Sequence, residues 1–344
     1  MKTTKLLLVL IFFLSPGFIH AQNFETIQIG SGTQKFSHPV WSPNGENLVF
    51  WGPGGIYVCK WDGSEQPRKI YDTFGENLMW ASDSELVYWQ RKSWEEKQEG
   101  QKPKRMEKEF VKIVTLSGIE RVVREGNGFS ALLKLYDGTI CFYEGDAFFY
   151  GTPIIVRGNK FGETDPSKLR TVIYHAPISD SRIKGPIFED NDIWIESLDR
   201  SFKKRLTVNN QYACPWLSPD GTKILVNKPP NSNLVILDTS GNEIVDLKVG
   251  VYEVSPGFFA GVPSSTARWS PDSKKIVYML EIDNSKKGTV ENLDLYIINA
   301  DGGGRTQITN TPDELENDPE WSPDGSKIAW WSENTNKIFV VKLK

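Results

Sequence analysis

The stretch that decides the fold is Pro319–Ser332, PEWSPDGSKIAWWS, near the C-terminal end of the sequence. Its Asp324-Gly325 pair lies between two apolar segments. Such a pair favours a tight β-turn, because glycine tolerates positive φ and aspartate hydrogen-bonds its own backbone. Trp321 before the turn and Ile328–Trp331 after it have the composition of strands. The stretch therefore predicts a β-hairpin.

The same pattern recurs along the chain. Four copies are clear: PVWSPNGENLVFW from Pro39, PWLSPDGTKILV from Pro215, ARWSPDSKKIVYM from Ala267 and PEWSPDGSKIAWW from Pro319. Three weaker copies begin at Leu78, Leu132 and Pro177. The turn dipeptides follow one another at intervals of 39, 54, 43, 40, 52 and 52 residues. A recurrence of this kind indicates a repeat architecture.

Each repeat continues beyond its hairpin. A third apolar segment such as DLYIINADG follows, and then a polar fourth segment such as RTQITN. Four strands in roughly 40 to 50 residues are typical of a β-propeller blade. Segments such as NLVFW are apolar at consecutive positions, which indicates strands buried on both faces. The sequence predicts an all-β fold: a single β-propeller of four-stranded blades, with seven blades favoured and six possible.

The two ends of the predicted propeller complement each other. The last repeat stops after its third strand, KIFVVKLK, and lacks a fourth. An unassigned strand-like segment, FETIQIG at Phe24–Gly30, precedes the first repeat. Pairing this segment with the last blade would remove an open sheet edge. We therefore expect the N-terminal strand to complete the last blade and close the ring.

Residues 1–21 have the layout of a secretory signal peptide. Lys2 and Lys5 precede an apolar run, and Ala21 offers a small residue for cleavage. The run is shorter than the roughly 20 residues that a membrane-spanning helix needs. We expect cleavage after Ala21, a propeller at 22–344 with no transmembrane segment, and a periplasmic or secreted location. Three scattered cysteines predict no disulfide framework.

The unit that starts at Asp294, DLYIINADGGGRTQITNTPDELENDPEWSPDGSKIAWWS, resembles the TolB-type, WD40-like (PD40) propeller repeat. The resemblance extends over nearly all of 22–344 and implies the propeller fold. It implies no particular activity, because such folds carry many unrelated functions. TolB itself has an α/β domain before its propeller, and only a short segment precedes the first repeat here. The chain is therefore not expected to be TolB, and TolB's envelope partners are not carried over.

The predicted blade geometry separates two faces. The short Ser-Pro-Asp-Gly turns lie on one, which we call the turn face. The opposite one, the loop face, is predicted to carry the long excursions, at Arg91–Glu109, Asn159–Leu169, Gly250–Ser265, Glu281–Asn292 and Asn310–Asn317. Function concentrates on such loops.

Residues that begin the innermost strands should surround the mouth of the central channel on the loop face. We expect ligand contact there from polar strand-start residues, with two phenylalanines nearby: His38, Asn77, Tyr174, Thr266, Asp318, Phe258 and Phe259. The alternative is that these residues only hydrogen-bond within their own blades, and that the phenylalanines anchor their loop.

Signals for catalysis are few. His38 and His175 are the only histidines after the signal segment, and the sequence has no Gly-x-Ser-x-Gly elbow, phosphate-binding loop or paired metal-ligand motif. We therefore predict no catalytic residue and no cofactor. Asp190 and Asp192 are a weak calcium candidate, and an acidic hairpin turn explains them equally well. The formal net charge of −4 argues against nucleic acid.

Two classes of function remain. The favoured one is an exported, monomeric, non-catalytic binding or scaffold module for a protein, peptide or carbohydrate on the loop face. The alternative is a propeller hydrolase or lyase that acts on extracellular glycans, with carboxylates from different blades converging on the channel.

Overall fold

The computed structural model describes most of the chain after the N-terminal segment. The described ranges are 24–96, 102–126, 129–134, 140–144, 152–157, 160–163, 183–189, 192–197, 203–209, 211–228, 233–250, 267–281, 292–311 and 314–343. Within them every regular element is a β-strand, and the strands form seven antiparallel sheets. No helical segment in these ranges has the length and hydropathy of a membrane span.

The first three sheets are each built from four consecutive strands. Sheet 1 contains β2 (Ser37–Trp41), β3 (Asn47–Gly52), β4 (Gly55–Lys60) and β5 (Arg68–Asp72). Sheet 2 contains β6 (Glu76–Trp80), β7 (Glu85–Glu96), β8 (Lys104–Thr115) and β9 (Glu120–Gly126). Sheet 3 contains β10 (Phe129–Lys134), β11 (Ile140–Glu144), β12 (Thr152–Arg157) and β13 (Lys160–Glu163).

The remaining four sheets have three or four strands each. Sheet 4 contains β14 (Ile183–Glu189), β15 (Asp192–Ser197) and β16 (Lys203–Arg205). Sheet 5 contains β17 (Ala213–Leu217), β18 (Lys223–Lys228), β19 (Asn233–Asp238) and β20 (Glu243–Gly250). Sheet 6 contains β21 (Ala267–Trp269), β22 (Lys275–Glu281), β23 (Leu293–Asn299) and β24 (Thr306–Gln307). Sheet 7 contains β25 (Glu316–Trp321), β26 (Lys327–Ser332), β27 (Lys337–Lys342) and β1 (Thr26–Ile29).

The N-terminal strand occupies the outer edge of the last sheet. β1 pairs antiparallel with β27, with Ile29 opposite Ile338 and Thr26 opposite Val341. Ile29 is fully buried. The pairing predicted for Phe24–Gly30 with the final repeat is therefore present, and sheet 7 joins the two ends of the chain.

A buried serine organises the repeated turn. In sheet 7 the Ser322 hydroxyl donates to Asp324 Oδ1 at 2.5 Å and accepts the Lys327 N–H at 2.9 Å. The Gly325 N–H donates to the Ser322 carbonyl at 2.8 Å, with Gly325 at a φ of +70°. The same pair of serine bonds is made in three other sheets, by Ser42, Ser218 and Ser270. The Ser-Pro-Asp-Gly motif thus has a structural role.

The core lies between neighbouring sheets. Leu225 of sheet 5 shares one cluster of buried side chains with Ile276 of sheet 6. Ile29 and Val340 of sheet 7 share another with Phe50 of sheet 1. Middle strands are buried on both faces, as their consecutive apolar residues predict.

A repeated indole hydrogen bond links successive sheets. In four sheets the tryptophan before the turn donates its Nε1–H to a backbone carbonyl of the preceding sheet. The acceptor is the residue immediately before the turn tryptophan, or its counterpart, in that preceding sheet. The four bonds are Trp41 to Glu320 (3.0 Å), Trp80 to Val40 (3.1 Å), Trp269 to Trp216 (3.1 Å) and Trp321 to Arg268 (3.3 Å). They place sheets 5, 6, 7, 1 and 2 side by side, across the junction between the two chain ends.

Two segments predicted as loops contain regular strands instead. Much of Arg91–Glu109 continues β7 and β8 as a two-stranded ribbon, in which Trp94 pairs with Met106. Within Asn159–Leu169, β13 is the outer strand of sheet 3. The sequence did not indicate β13, because a short outer strand needs no apolar alternation. Residues 251–266 and 282–291, from two further predicted loops, lie outside the described ranges.

Candidate functional site

Three of the predicted strand-start residues share an unusual backbone conformation. His38, Asn77 and Asp318 have φ angles of 54°, 53° and 49°. Each lies within a register shift between the first and second strands of its sheet. Asn, Asp and His are the non-glycine residues that accept positive φ most readily. The repeated β-bulge is thus one physical reason for polar residues at these positions, and bulges also redirect side chains.

His38 and Asp318 meet across the junction of sheets 1 and 7. His38 Nε2 lies 3.5 Å from Asp318 Oδ2. Trp331 Nε1–H donates to the same carboxylate oxygen at 3.1 Å, and its ring centroid is 5.2 Å from that of His38. The His38 side chain is 57% exposed and that of Asp318 24% exposed, so the cluster is open to solvent.

The cluster of His38, Asp318 and Trp331 brings together three different chemical groups. It offers an imidazole, a carboxylate and an indole within one partly exposed group. A few convergent polar groups beside an aromatic surface are typical of ligand sites. The sequence predicted the first two residues but missed Trp331, because that residue belongs to the second strand of its sheet and its approach to His38 is a contact between sheets.

The other predicted site residues are placed less fully. Asn77 is exposed at the start of β6, the inner strand of the sheet next to sheet 1. The remaining candidates lie outside the described residues: Tyr174, Thr266, Phe258, Phe259 and the calcium candidate Asp190. Their roles stay predictions.

The second calcium candidate, Asp192, is buried in a strand-anchoring network. Its carboxylate contacts the Arg205 guanidinium and accepts from Thr207 Oγ1 at 3.3 Å. Thr207 Oγ1 in turn accepts the Ile193 N–H at 2.9 Å. In sheet 6, Asp294, Gln307 and Thr309 stand at the same spacing, and Gln307 donates to Asp294 at 2.8 Å. Among described residues no three metal-ligating side chains gather. A calcium role stays a prediction.

A buried glutamate lies near the predicted site and was not foreseen. Glu316 accepts from Thr311 Oγ1 at 2.6 Å and from the Leu295 N–H at 3.0 Å, and it contacts Thr309. Burial raises the pKa of its carboxyl to about 8, and Asp294 adds to the shift. The residues five positions before the turn tryptophan or its equivalent are Phe36 in sheet 1 and Tyr212 in sheet 5. Glu316 stands where these two sheets have an aromatic residue, and this difference in the sequence could have identified it as unusual.

Comparison with known proteins gives a fold and no family. No family model matches the chain, and no curated protein matches it. The Cps50 (Swd1) β-propeller domain of Myceliophteria thermophila has a TM-score of 0.55 at 13% identity, covering 93% of this chain and 100% of the other. U3-55K has a TM-score of 0.53 at 9% identity, with 92% and 98% covered. A protein described as TolB from Agrobacterium tumefaciens has a TM-score of 0.39 at 17% identity, with 90% of each covered.

The similarities to the first two of these structures agree with the four-stranded antiparallel sheets. At such identities a structural likeness carries the fold alone. The chain has a β-propeller fold like that of the Cps50 (Swd1) domain and U3-55K.

Proposed function

We propose that this chain is an exported, non-catalytic binding module, a monomeric seven-bladed propeller closed by its N-terminal strand. Its ligand, a protein, peptide or carbohydrate, binds on the loop face around the strand-start residues. Two contacts support closure: β1 completes sheet 7, and Trp41 Nε1–H donates to the Glu320 carbonyl across the junction. The signal-like N-terminus supports export to the periplasm or beyond.

One observation carries the binding proposal. His38, Asp318 and Trp331 form a partly exposed polar and aromatic cluster where sheets 1 and 7 meet. The structural bonds of the repeated motif occupy the turn end of the strand, so this cluster is not needed to form the turn. Binding energy at such a site comes from the aromatic surface, and hydrogen bonds orient the ligand.

The alternative, a glycan hydrolase or lyase, rests on the same pair of residues. A histidine beside a carboxylate is a common acid–base arrangement. Glycoside hydrolysis uses two carboxyl groups on either side of the scissile bond, and the cluster of His38, Asp318 and Trp331 contains one. The non-catalytic function is therefore the better supported one.

A thermal-shift screen tests the proposal. The mature protein is screened against glycans, peptides and divalent metals, beside His38→Asn, which keeps a residue tolerant of positive φ and matches Asn77 in sheet 2. We expect a peptide or glycan to raise the melting temperature of the wild type and not of the variant. An equal shift in His38→Asn would contradict the proposed site, and turnover of a glycan would establish the alternative.

A further inference from the structure

A cavity lies at the other end of the inner strands, away from the cluster of His38, Asp318 and Trp331. It has a volume of about 170 Å³ and lies where β17, β21 and β25 approach the turn face. Its walls come from three consecutive sheets and include Trp216, Pro219, Arg268, Pro271, Glu320 and Trp321. Indole and proline rings supply the apolar part of these walls, and Arg268 and Glu320 supply the charges.

Arg268 and Glu320 form a loose pair in this cavity. Arg268 Nε lies 3.7 Å from Glu320 Oε1, which is longer than a hydrogen bond. Arg268 Nε is buried and has no hydrogen-bond partner. The guanidinium carbon lies 4.5 Å from the centre of the Trp216 ring, which fixes its plane. A buried donor without a partner costs free energy, so a ligand acceptor placed here would gain a strong contact.

We propose that this cavity binds a small carboxylate, which Arg268 holds while Glu320 takes up one proton from solvent and donates it in a hydrogen bond to the ligand. In the bound state Arg268 carries its positive charge, Glu320 is a neutral carboxylic acid and the ligand is a carboxylate. The negative charge of the ligand balances the positive charge of Arg268. The indole and proline rings of the walls favour a short aliphatic or aromatic body on the ligand. This site is separate from the loop-face cluster and does not depend on the function proposed above.

The charges around Glu320 support uptake of a proton. The Glu320 side chain is 32% exposed. Desolvation of its carboxyl raises the pKa to about 7, and Asp318 on the same strand adds to the rise. Arg268 on β21 opposes it, and His38 on β2 pairs with Asp318. The Trp216 side chain on β17 carries no charge. Below about pH 7 the acid is therefore already protonated, and above it each bound carboxylate must bring in one proton.

Titration calorimetry with butyrate and benzoate tests this proposal between about pH 6 and 8.5. We expect binding that is nearly constant at the acidic end and weakens about tenfold per pH unit above pH 7, as linkage to one proton requires. The neutral analogue butyramide should bind at least about tenfold more weakly. Absence of carboxylate binding at pH 6, or binding that does not change with pH, would overturn the proposal.

Substitutions at Glu320 and Arg268 test the role of each side chain in carboxylate binding. Glu320→Gln imitates the protonated acid, so its affinity should stay high and lose the pH dependence. Arg268→Met should lose binding at every pH, and Arg268→Lys covers the case in which the Met variant does not fold, with an expected loss of at least about tenfold. Unchanged binding in the Arg268 variants, or an unchanged pH slope in Glu320→Gln, would contradict the assignment.

Discussion

The two ends of the same inner strands differ in what the repeats preserve. At the turn end, four sheets make the same pair of serine hydrogen bonds and the same tight turn. At the start, five sheets share a register shift between their first two strands, and the bulge residues with a positive φ differ: His38, Asn77 and Asp318. The turn end shows what each sheet needs in order to fold. The start shows which positions are free to differ, and those positions can serve binding.

The physical basis of this difference is the partner of each polar group. Ser322 and Asp324 bond to backbone and side chains of their own turn, so substitution leaves donors of the turn without their acceptors. Asp318 instead meets side chains from a neighbouring strand and a neighbouring sheet, and it remains partly exposed. A substitution there should change what the surface binds more than it changes stability.

The comparison of the two strand ends holds only if β1 completes sheet 7. Substitution of Ile29 on β1 is expected to have the largest effect and tests this first. Ile29→Ala should lower the free energy of unfolding by about 2–5 kcal/mol, because its fully buried side chain would leave a cavity. Ile27→Ala, on the same strand and only partly buried, should cost clearly less. Urea unfolding measures both. Equal small losses would show that β1 is not part of the core.

Glu316 sharpens the comparison at the start of β25. Its raised pKa of about 8 means that the folded state holds a proton that the unfolded state releases above the ordinary carboxyl range. Stability should therefore fall as pH rises toward 8, by about 2 kcal/mol between roughly pH 6 and 7.5. Glu316→Gln should remove this part of the slope. Parallel stability–pH curves for the two proteins would contradict a buried neutral Glu316.

The indole hydrogen bonds test whether the interface between sheets 7 and 1 contributes as much stability as the interface between sheets 1 and 2. Trp41→Phe removes the bond to Glu320, and Trp80→Phe removes the matching bond between sheets 1 and 2. Each should cost about 1–2 kcal/mol through a lost hydrogen bond and some lost volume. The two losses, measured by chemical unfolding, should agree within about 0.5 kcal/mol. A neutral Trp41→Phe beside a costly Trp80→Phe would argue for an open ring.

The sequence predicted those features that a local pattern repeats. Hairpins at the described Asp-Gly turns, buried middle strands and the addition of Phe24–Gly30 to the last repeat all follow from turn chemistry and hydrophobic pattern. β13 was taken for part of a loop because it is a short outer strand without apolar alternation.

The candidate site was only partly predictable. His38 and Asp318 could be chosen from their position before the turn, but the bulge that puts them at positive φ was not recognised. A signal existed in the choice of His, Asn and Asp at the same position of three repeats. Trp331, the carboxylate network of Glu316, and the cavity at Arg268 and Glu320 depend on contacts between sheets. No local pattern in one chain encodes such contacts.

The most direct test of the central claim substitutes one aspartate at each end of β25 and its turn. Asp318→Asn keeps a residue that tolerates positive φ and removes the charge, and Asp324→Ala removes the acceptor that organises the turn. Both proteins are measured by chemical unfolding and by binding to glycan and peptide arrays. We predict that Asp318→Asn unfolds within about 0.5 kcal/mol of the wild type and loses array binding. We predict that Asp324→Ala loses about 1–2 kcal/mol and keeps array binding. The reverse pattern, with binding lost at the turn and kept at Asp318, would contradict the account.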